Sequence, residues 1–219
     1  MNTRPRKIGV ITSGGDCPGM NSAIRAIVRT AIYNGIEVYG FLKGYKGILE
    51  NYVFPLGTRE VSGIMQKGGT ILQTARCPQF LEEEYQKRAV KNIKELGIDG
   101  MVVIGGEGSL KGAMALEKFG VKCVGIPGSI DNDIPHTDMA IGVDTALNTI
   151  LDAMDKIKDT ATAHQRSFLI EVMGRRHGYL ALNAGVAGGA EMIILPNQPI
   201  DLSAIEKEVN AAFKRGKPH

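Results

Sequence analysis

Apolar residues in this chain fall into short dense runs separated by longer stretches with one apolar side. Lys7 to Ile11, Ile36 to Leu42, Met101 to Ile104, Val121 to Ile126, Ser167 to Val172 and Glu191 to Leu195 read as strands. Between them the period changes to that of a helix. Ile24, Ile27, Val28, Ala31 and Ile32 share one face of a segment that Asn21 or Ser22 can cap. Ala89, Val90, Ile93 and Leu96 share a face within Leu81 to Leu96, and Gly97 stands where a left-handed C-terminal cap is expected. Further helices are expected over Ser109 to Phe119, Ile141 to Lys158, Gly178 to Val186 and Leu202 to Phe213. Near-continuous apolar strands alternating with helices imply the α/β class, with mostly parallel sheets sandwiched by helices. The chain stops just after a helix, where an α/β unit would continue into a strand. A two-domain chain with an incomplete second domain is therefore expected.

Composition narrows the function. Lys plus Arg number 26 and Asp plus Glu 23, a net charge of +3 that is too mild for a nucleic-acid surface. Tryptophan is absent and aromatics make up 5%, which argues against a base-stacking platform. Cys17, Cys77 and Cys123 form no CxxC pair and are odd in number, so neither a zinc site nor a disulfide framework is expected. The basic start is not followed by the apolar stretch and cleavage site of a signal peptide, and no apolar run is long enough to span a bilayer. A cytoplasmic protein without nucleic-acid or membrane partners is the expectation. Glycine is the exception to an ordinary composition, at 28 of 219 residues.

Those glycines gather in loops that follow strands. Gly14-Gly15-Asp16 follows the first strand, Gly105-Gly106-Glu107-Gly108-Ser109 follows Met101 to Ile104, and Pro127-Gly128-Ser129-Ile130-Asp131-Asn132-Asp133 follows Val121 to Ile126. In parallel sheets ligands bind at the carboxyl ends of strands. Glycine lets the backbone approach a phosphate, and the donors of a following helix start attract an anion. Tight turns also use glycine for geometry alone, but three such loops with acidic residues point to phosphate chemistry. The pattern is neither the dinucleotide fingerprint nor a P-loop. Asp131 or Asp133 can serve as a general base toward a hydroxyl that attacks a phosphoryl group. Glu107 beside phosphates suggests a Mg²⁺ ion shared with them. Arg76, Arg166, Arg175 and Arg176 supply guanidinium forks suited to phosphate. His164 and His177 gain no role from the pattern.

In this order, Gly-Gly-Asp-x-Pro-Gly-Met-Asn, Gly-Gly-x-Gly-Ser, Ile-Asp-Asn-Asp and Met-Gly-Arg resemble the phosphofructokinase family over essentially the whole chain. The resemblance implies a two-domain fold, with residues 1–138 binding ATP and magnesium and residues 139–219 beginning the sugar-phosphate domain. It implies transfer of the γ-phosphoryl group of ATP to the 1-hydroxyl of fructose 6-phosphate. By resemblance, Gly15, Arg76, Cys77, Gly106, Glu107, Gly108 and Ser109 line the ATP site, and Glu107 holds Mg²⁺. Asp131 is the implied base, supported by Ser129 and Asp133. Ser129, Ile130, Asp131, Met173, Gly174 and Arg175 bind the sugar phosphate, with Arg175 also near the transferring group. Arg166 is implied to reach a neighbouring subunit's sugar site, within a homotetramer. Arg25, Arg29, Lys158, Gly189, Glu191, Arg215 and Lys217 match an effector site for ADP or phosphoenolpyruvate. Pyrophosphate-using members typically carry Asp at the position of Gly108 and Lys at that of Gly128, so glycine at both implies ATP as donor.

The chain departs from the family pattern in places. Glu107 replaces an Asp, Ser129 replaces a Thr, and Thr58 stands where bacterial members often have an effector-contacting Arg. The family normally continues for about another third of the chain. The alternative is accordingly a truncated, non-catalytic nucleotide- or effector-binding subunit. A related kinase acting on NAD or a lipid is opposed by the Met-Gly-Arg and Ile-Asp-Asn-Asp segments.

Overall fold

The computed structural model describes residues 5–215. The chain divides into two compact units. The first runs to Ser129 and includes Asp133–Gly142; the second takes Ile130–Asn132 and the chain from Val143 onward.

The first unit is built on five strands: β1 (Lys7–Ser13), β2 (Glu37–Phe41), β3 (Val53–Pro55), β4 (Gly100–Gly105) and β5 (Lys122–Pro127). Their order is β3-β2-β1-β4-β5. β2, β1, β4 and β5 run parallel, and only β3 is antiparallel, against β2. The chain leaves β1 toward one edge and later returns to β4 on the other side. The switch in strand order therefore lies between β1 and β4, where open α/β sheets place their ligands. Ser13 pairs with Gly105 and Gly105 with Pro127, so the three glycine loops emerge side by side.

Helices α1 (Met20–Tyr33), α2 (Tyr45–Leu49), α3 (Glu83–Glu95) and α4 (Glu107–Lys118) cover this sheet, with a 3₁₀ turn at Pro78–Leu81. One core cluster joins Ile11, Met101 and Val103 of the sheet to Ile48 of α2, Ile93 of α3 and Leu116 of α4. Met20, Ile24 and Val28 of α1 are fully buried outside that cluster. Both faces of the central strands β1 and β4 are thus covered, which is why they read as apolar at almost every position, whereas the edge strand β5 is largely exposed. Gly97 takes φ 66°, as the sequence implied.

Several expectations need correcting. The cap of α1 is Gly19, at φ 92°, with no side-chain cap bond. Asn21 and Ser22, expected as caps, turn their side chains to the 65–71 segment. Helix α4 begins at Glu107, so Glu107 and Gly108 lie in its first turn and not in a preceding loop.

The second unit contains α5 (Val143–His164), α6 (Tyr179–Gly188) and α7 (Leu202–Lys214). α6 packs closely through its glycines. A Cβ on Gly188 would meet Met154 Cε at 2.5 Å, and one on Gly185 would meet Ile193 Cγ1 at 2.6 Å. The strands expected at Ser167 to Val172 and Glu191 to Leu195 do not form. A strand exists through a hydrogen-bonded neighbour, and none pairs with these segments among the described residues. Phe168, Leu169 and Met192 are exposed, Leu169 at 88%, while Ile170, Val172, Ile193, Ile194 and Leu195 are partly buried. No helix among the described residues is long and apolar enough to cross a membrane.

Candidate active site

In the first unit the candidate site is the carboxyl edge of β1, β4 and β5. Its glycines serve two different purposes. Some are required by packing. A Cβ on Gly105 would collide with the Ser13 carbonyl and approach Ser109 Oγ to 2.6 Å. Gly14, at φ 86°, would bring one to 3.2 Å from the same hydroxyl. Ser109 is itself buried, beneath the loops. Gly128 donates its N–H to the Gly105 carbonyl at 3.0 Å, fixing the β5 loop to the β4 loop, and the Ser129 N–H donates to Ile141 O at 3.1 Å, fixing it to the chain just before α5. Ser129 faces Gly106, whose Cβ would come within 3.8 Å of it.

Gly15 and Gly108 behave otherwise. A Cβ at either would meet nothing within 4 Å, and neither has a left-handed φ. Chain geometry does not demand glycine there. Open space beside a helix start is instead what an approaching phosphate needs.

Glu107, first residue of α4, pairs with Lys111 one turn on at 2.7 Å, with both side chains largely in solvent. Among the described residues no cluster of three or more His, Cys, Asp or Glu is able to hold a metal. A Mg²⁺ ion held by protein ligands alone therefore finds no cage here. One hard carboxylate beside this candidate phosphate edge does fit an ion held mainly by phosphates and water.

Arg76 and Cys77 close a long irregular segment, residues 56–77, that returns across the end of the sheet. Thr12 Oγ1 lies 3.0 Å from Thr70 Oγ1 and donates to Gln73 O at 2.8 Å. Lys43 N–H donates to Leu72 O at 2.8 Å. Arg76 is exposed and Cys77 half-buried. Burial pushes the Cys77 thiol above its ordinary range. Tyr45 stacks on Phe80 with centroids 4.1 Å apart, and its hydroxyl donates to Ser109 O at 2.6 Å. Tyr45 was missed in the sequence because α2 has only five residues, too few to show a period.

In the second unit Asp131 and Arg175 come together. Arg175 Nε lies 3.8 Å from Asp131 Oδ2; the carboxylate is 14% exposed and the guanidinium 74%. Arg175 holds a left-handed φ of 50° between Gly174 (139°) and Gly178 (62°), and Asn132 holds 49°. Non-glycine residues rarely accept that conformation, and such positions gather at functional sites. Met173 is exposed and Gly174 buried. Arg166 is exposed just beyond α5, and Asp133 is half-buried.

The effector candidates divide between the units. Arg25 Nη1 donates to Val61 O at 2.8 Å, which ties α1 to the irregular segment, and Arg29 is exposed on the same helix. In the second unit Lys158 Nζ donates to Gly188 O beside Gly189, and Glu191 follows two residues later. Arg215 pairs with Glu208 at 2.6 Å. Lys217 lies outside the described residues.

The family model for phosphofructokinase matches residues 7–219. The chain belongs to the phosphofructokinase family. It is 54% identical over 215 residues to the ATP-dependent 6-phosphofructokinase of Thermoanaerobacter sp. (strain X514), covering 98% of this chain and 67% of that enzyme. The enzyme of the same name from Bacillus subtilis (strain 168) is 53% identical over 214 residues, with the same shares. The chain thus spans about two thirds of the length of these phosphofructokinases. Among solved structures, phosphofructokinase from Saccharomyces cerevisiae superposes with a TM-score of 0.85 at 38% identity, over 97% of this chain and 32% of that one. A pyrophosphate-dependent phosphofructokinase from Marinobacter aquaeolei superposes at 0.86 with 20% identity, over 95% and 57% respectively, a likeness of fold alone.

Proposed function

We propose that this chain is an ATP-dependent 6-phosphofructokinase, transferring the γ-phosphoryl group of ATP to the 1-hydroxyl of fructose 6-phosphate. The observation that carries the reading is the open space at Gly15 and Gly108, beside glycines that packing does require. It supports a phosphate-binding edge, in a chain whose named relatives are ATP-dependent. Glycine rather than Asp at 108 leaves no anion to repel the nucleotide's phosphates.

In this reading Gly15, Gly106, Gly108 and Ser109 cradle the phosphates, and Arg76 and Cys77 border the nucleotide. Backbone donors at the start of α4 favour the anion through their direction and the helix dipole. Glu107 would hold a Mg²⁺ ion brought with the nucleotide, which neutralises charge on the phosphoryl oxygens. Asp131 accepts the proton of the sugar hydroxyl as that oxygen attacks phosphorus. Arg175, 3.8 Å from that carboxylate, orients it and draws the phosphate group. Ser129 and Asp133 support the loop, and Ile130, Met173 and Gly174 contact the sugar phosphate. Arg166 serves a neighbouring subunit's sugar site in a homotetramer.

Arg25, Arg29, Lys158, Gly189, Glu191, Arg215 and Lys217 contribute to effector sites for ADP or phosphoenolpyruvate that lie between subunits. The protein works in the cytoplasm. The test is Asp131→Ser. It lowers turnover by about two to four orders of magnitude, the usual worth of a general base, while Mg-ATP binding is kept. Turnover unchanged in that variant removes Asp131 from the role.

A further inference from the structure

The motif Gly-Gly-Asp-x-Pro-Gly-Met-Asn ends on Asn21, a residue to which the site above gives no task. Asn21 is 2% exposed, in the first turn of α1. Its whole amide is engaged by one stretch of distant chain. Nδ2 donates to Lys67 O at 3.0 Å and to Gly68 O at 3.4 Å. Oδ1 accepts from Ile71 N–H at 2.8 Å. One side chain thus reads donors and acceptors of a backbone as a neighbouring strand would. The stretch it holds has no helix or strand between Pro55 and Pro78. That stretch leads directly to Arg76 and Cys77. Thr12 and Thr70 fasten the same strap from β1.

We propose that Asn21 is a positioning residue for nucleotide binding. By clamping residues 67–71 it sets the course of the strap, and so the place where Arg76 and Cys77 meet the ligand. The proposal rests on the nucleotide site proposed above. Asn is suited to the task because it offers donor and acceptor on one planar group. Asp would keep the acceptor for Ile71 but turn a carboxylate on two carbonyls. Ala would leave all three backbone groups without the clamp. Losing polar partners at a buried side chain is costly, and the other polar ties of the strap, from Thr12, Lys43, Ser22 and Arg25, leave Lys67 O, Gly68 O and Ile71 N–H to Asn21 alone among the side-chain bonds of the described residues.

The test uses the whole chain with Asn21→Ala and with Asn21→Asp, which is nearly isosteric. Mg-ATP affinity is measured by calorimetry, and amide exchange is read along the chain without ligand. The expected result is a loss of affinity of about tenfold or more in both variants. Faster exchange is expected at residues 65–77, with α3 and β4 unchanged. Affinity within twofold of wild type in both variants overturns the role of Asn21. Faster exchange throughout the first unit also overturns it, since it makes Asn21 a general packing residue. A wild-type chain that binds no Mg-ATP overturns the nucleotide reading itself, and this role with it.

Discussion

Gly108 and Gly112 lie one turn apart on α4 and, in the proposed nucleotide site, separate ligand space from packing space. A Cβ at 108 meets nothing within 4 Å, whereas one at 112 would lie 2.5–2.7 Å from the Tyr45 ring. Tyr45 is buried, stacked on Phe80 and hydrogen-bonded to Ser109 O, so it has no room to yield. Ala at 108 gains helix propensity and restricts the unfolded chain, together at most about 1 kcal/mol. In a chain of this length that is a rise of about 2–4 °C in Tm. At 112 the same gain opposes an overpacking cost of about 1–3 kcal/mol, and Tm falls. Binding reverses the order of the two variants. A methyl group at 108 occupies the path of the phosphates. Loss of one hydrogen bond to a charged group costs about 1.5–3 kcal/mol, or roughly 10- to 150-fold in Mg-ATP affinity. Scanning calorimetry without ligand and titration with Mg-ATP measure the two effects separately. Gly108→Ala that binds Mg-ATP as wild type, or that loses several degrees of Tm without ligand, refutes this account of the glycines.

Further outcomes follow from the titrating groups. Asp99 Oδ2 accepts the backbone N–H groups of Arg6 (2.7 Å) and Lys7 (3.0 Å), and these bonds hold its carboxyl below the usual range. A lowered folded-state pKa stabilises above the ordinary carboxylate range and is lost as pH falls through the folded value. Asp99→Asn is therefore less stable than wild type at pH 7, and the gap in Tm closes on acidification; a gap that persists at low pH contradicts the assignment. Burial, with the Asp16 charge second, pushes the Cys17 thiol up to about 11, and burial pushes Cys123 up to about 12. Both react slowly with a disulfide reagent at pH 8 in the native chain, and faster as pH rises; rapid reaction of Cys17 at pH 8 refutes its burial.

The first unit was legible because its central strands β1 and β4 are largely buried on both faces and its helices have one apolar side. Gly14-Gly15, Gly105 to Ser109 and the Asp131 loop could be picked out by residue type as glycine-bearing loops after apolar strands, and the sheet register brings the three loops side by side. Local pattern said nothing of what distant chain does. Asn21 reads as a cap, yet its partners are Lys67, Gly68 and Ile71, which sequence spacing cannot reveal. The apolar runs around Leu169 and Ile193 look like strands, but pairing depends on a neighbour and not on the run itself. Arg25, expected at an effector site, is engaged with Val61 O, a bond that no sequence signal announces.

The measurement that tests the central claim most directly is the rate of fructose 6-phosphate phosphorylation by the purified 219-residue chain. Mg-ATP and magnesium pyrophosphate are compared as donors. The account predicts turnover with ATP and none with pyrophosphate, since Gly108 leaves the nucleotide's phosphates unopposed. Turnover with pyrophosphate and not with ATP would contradict it.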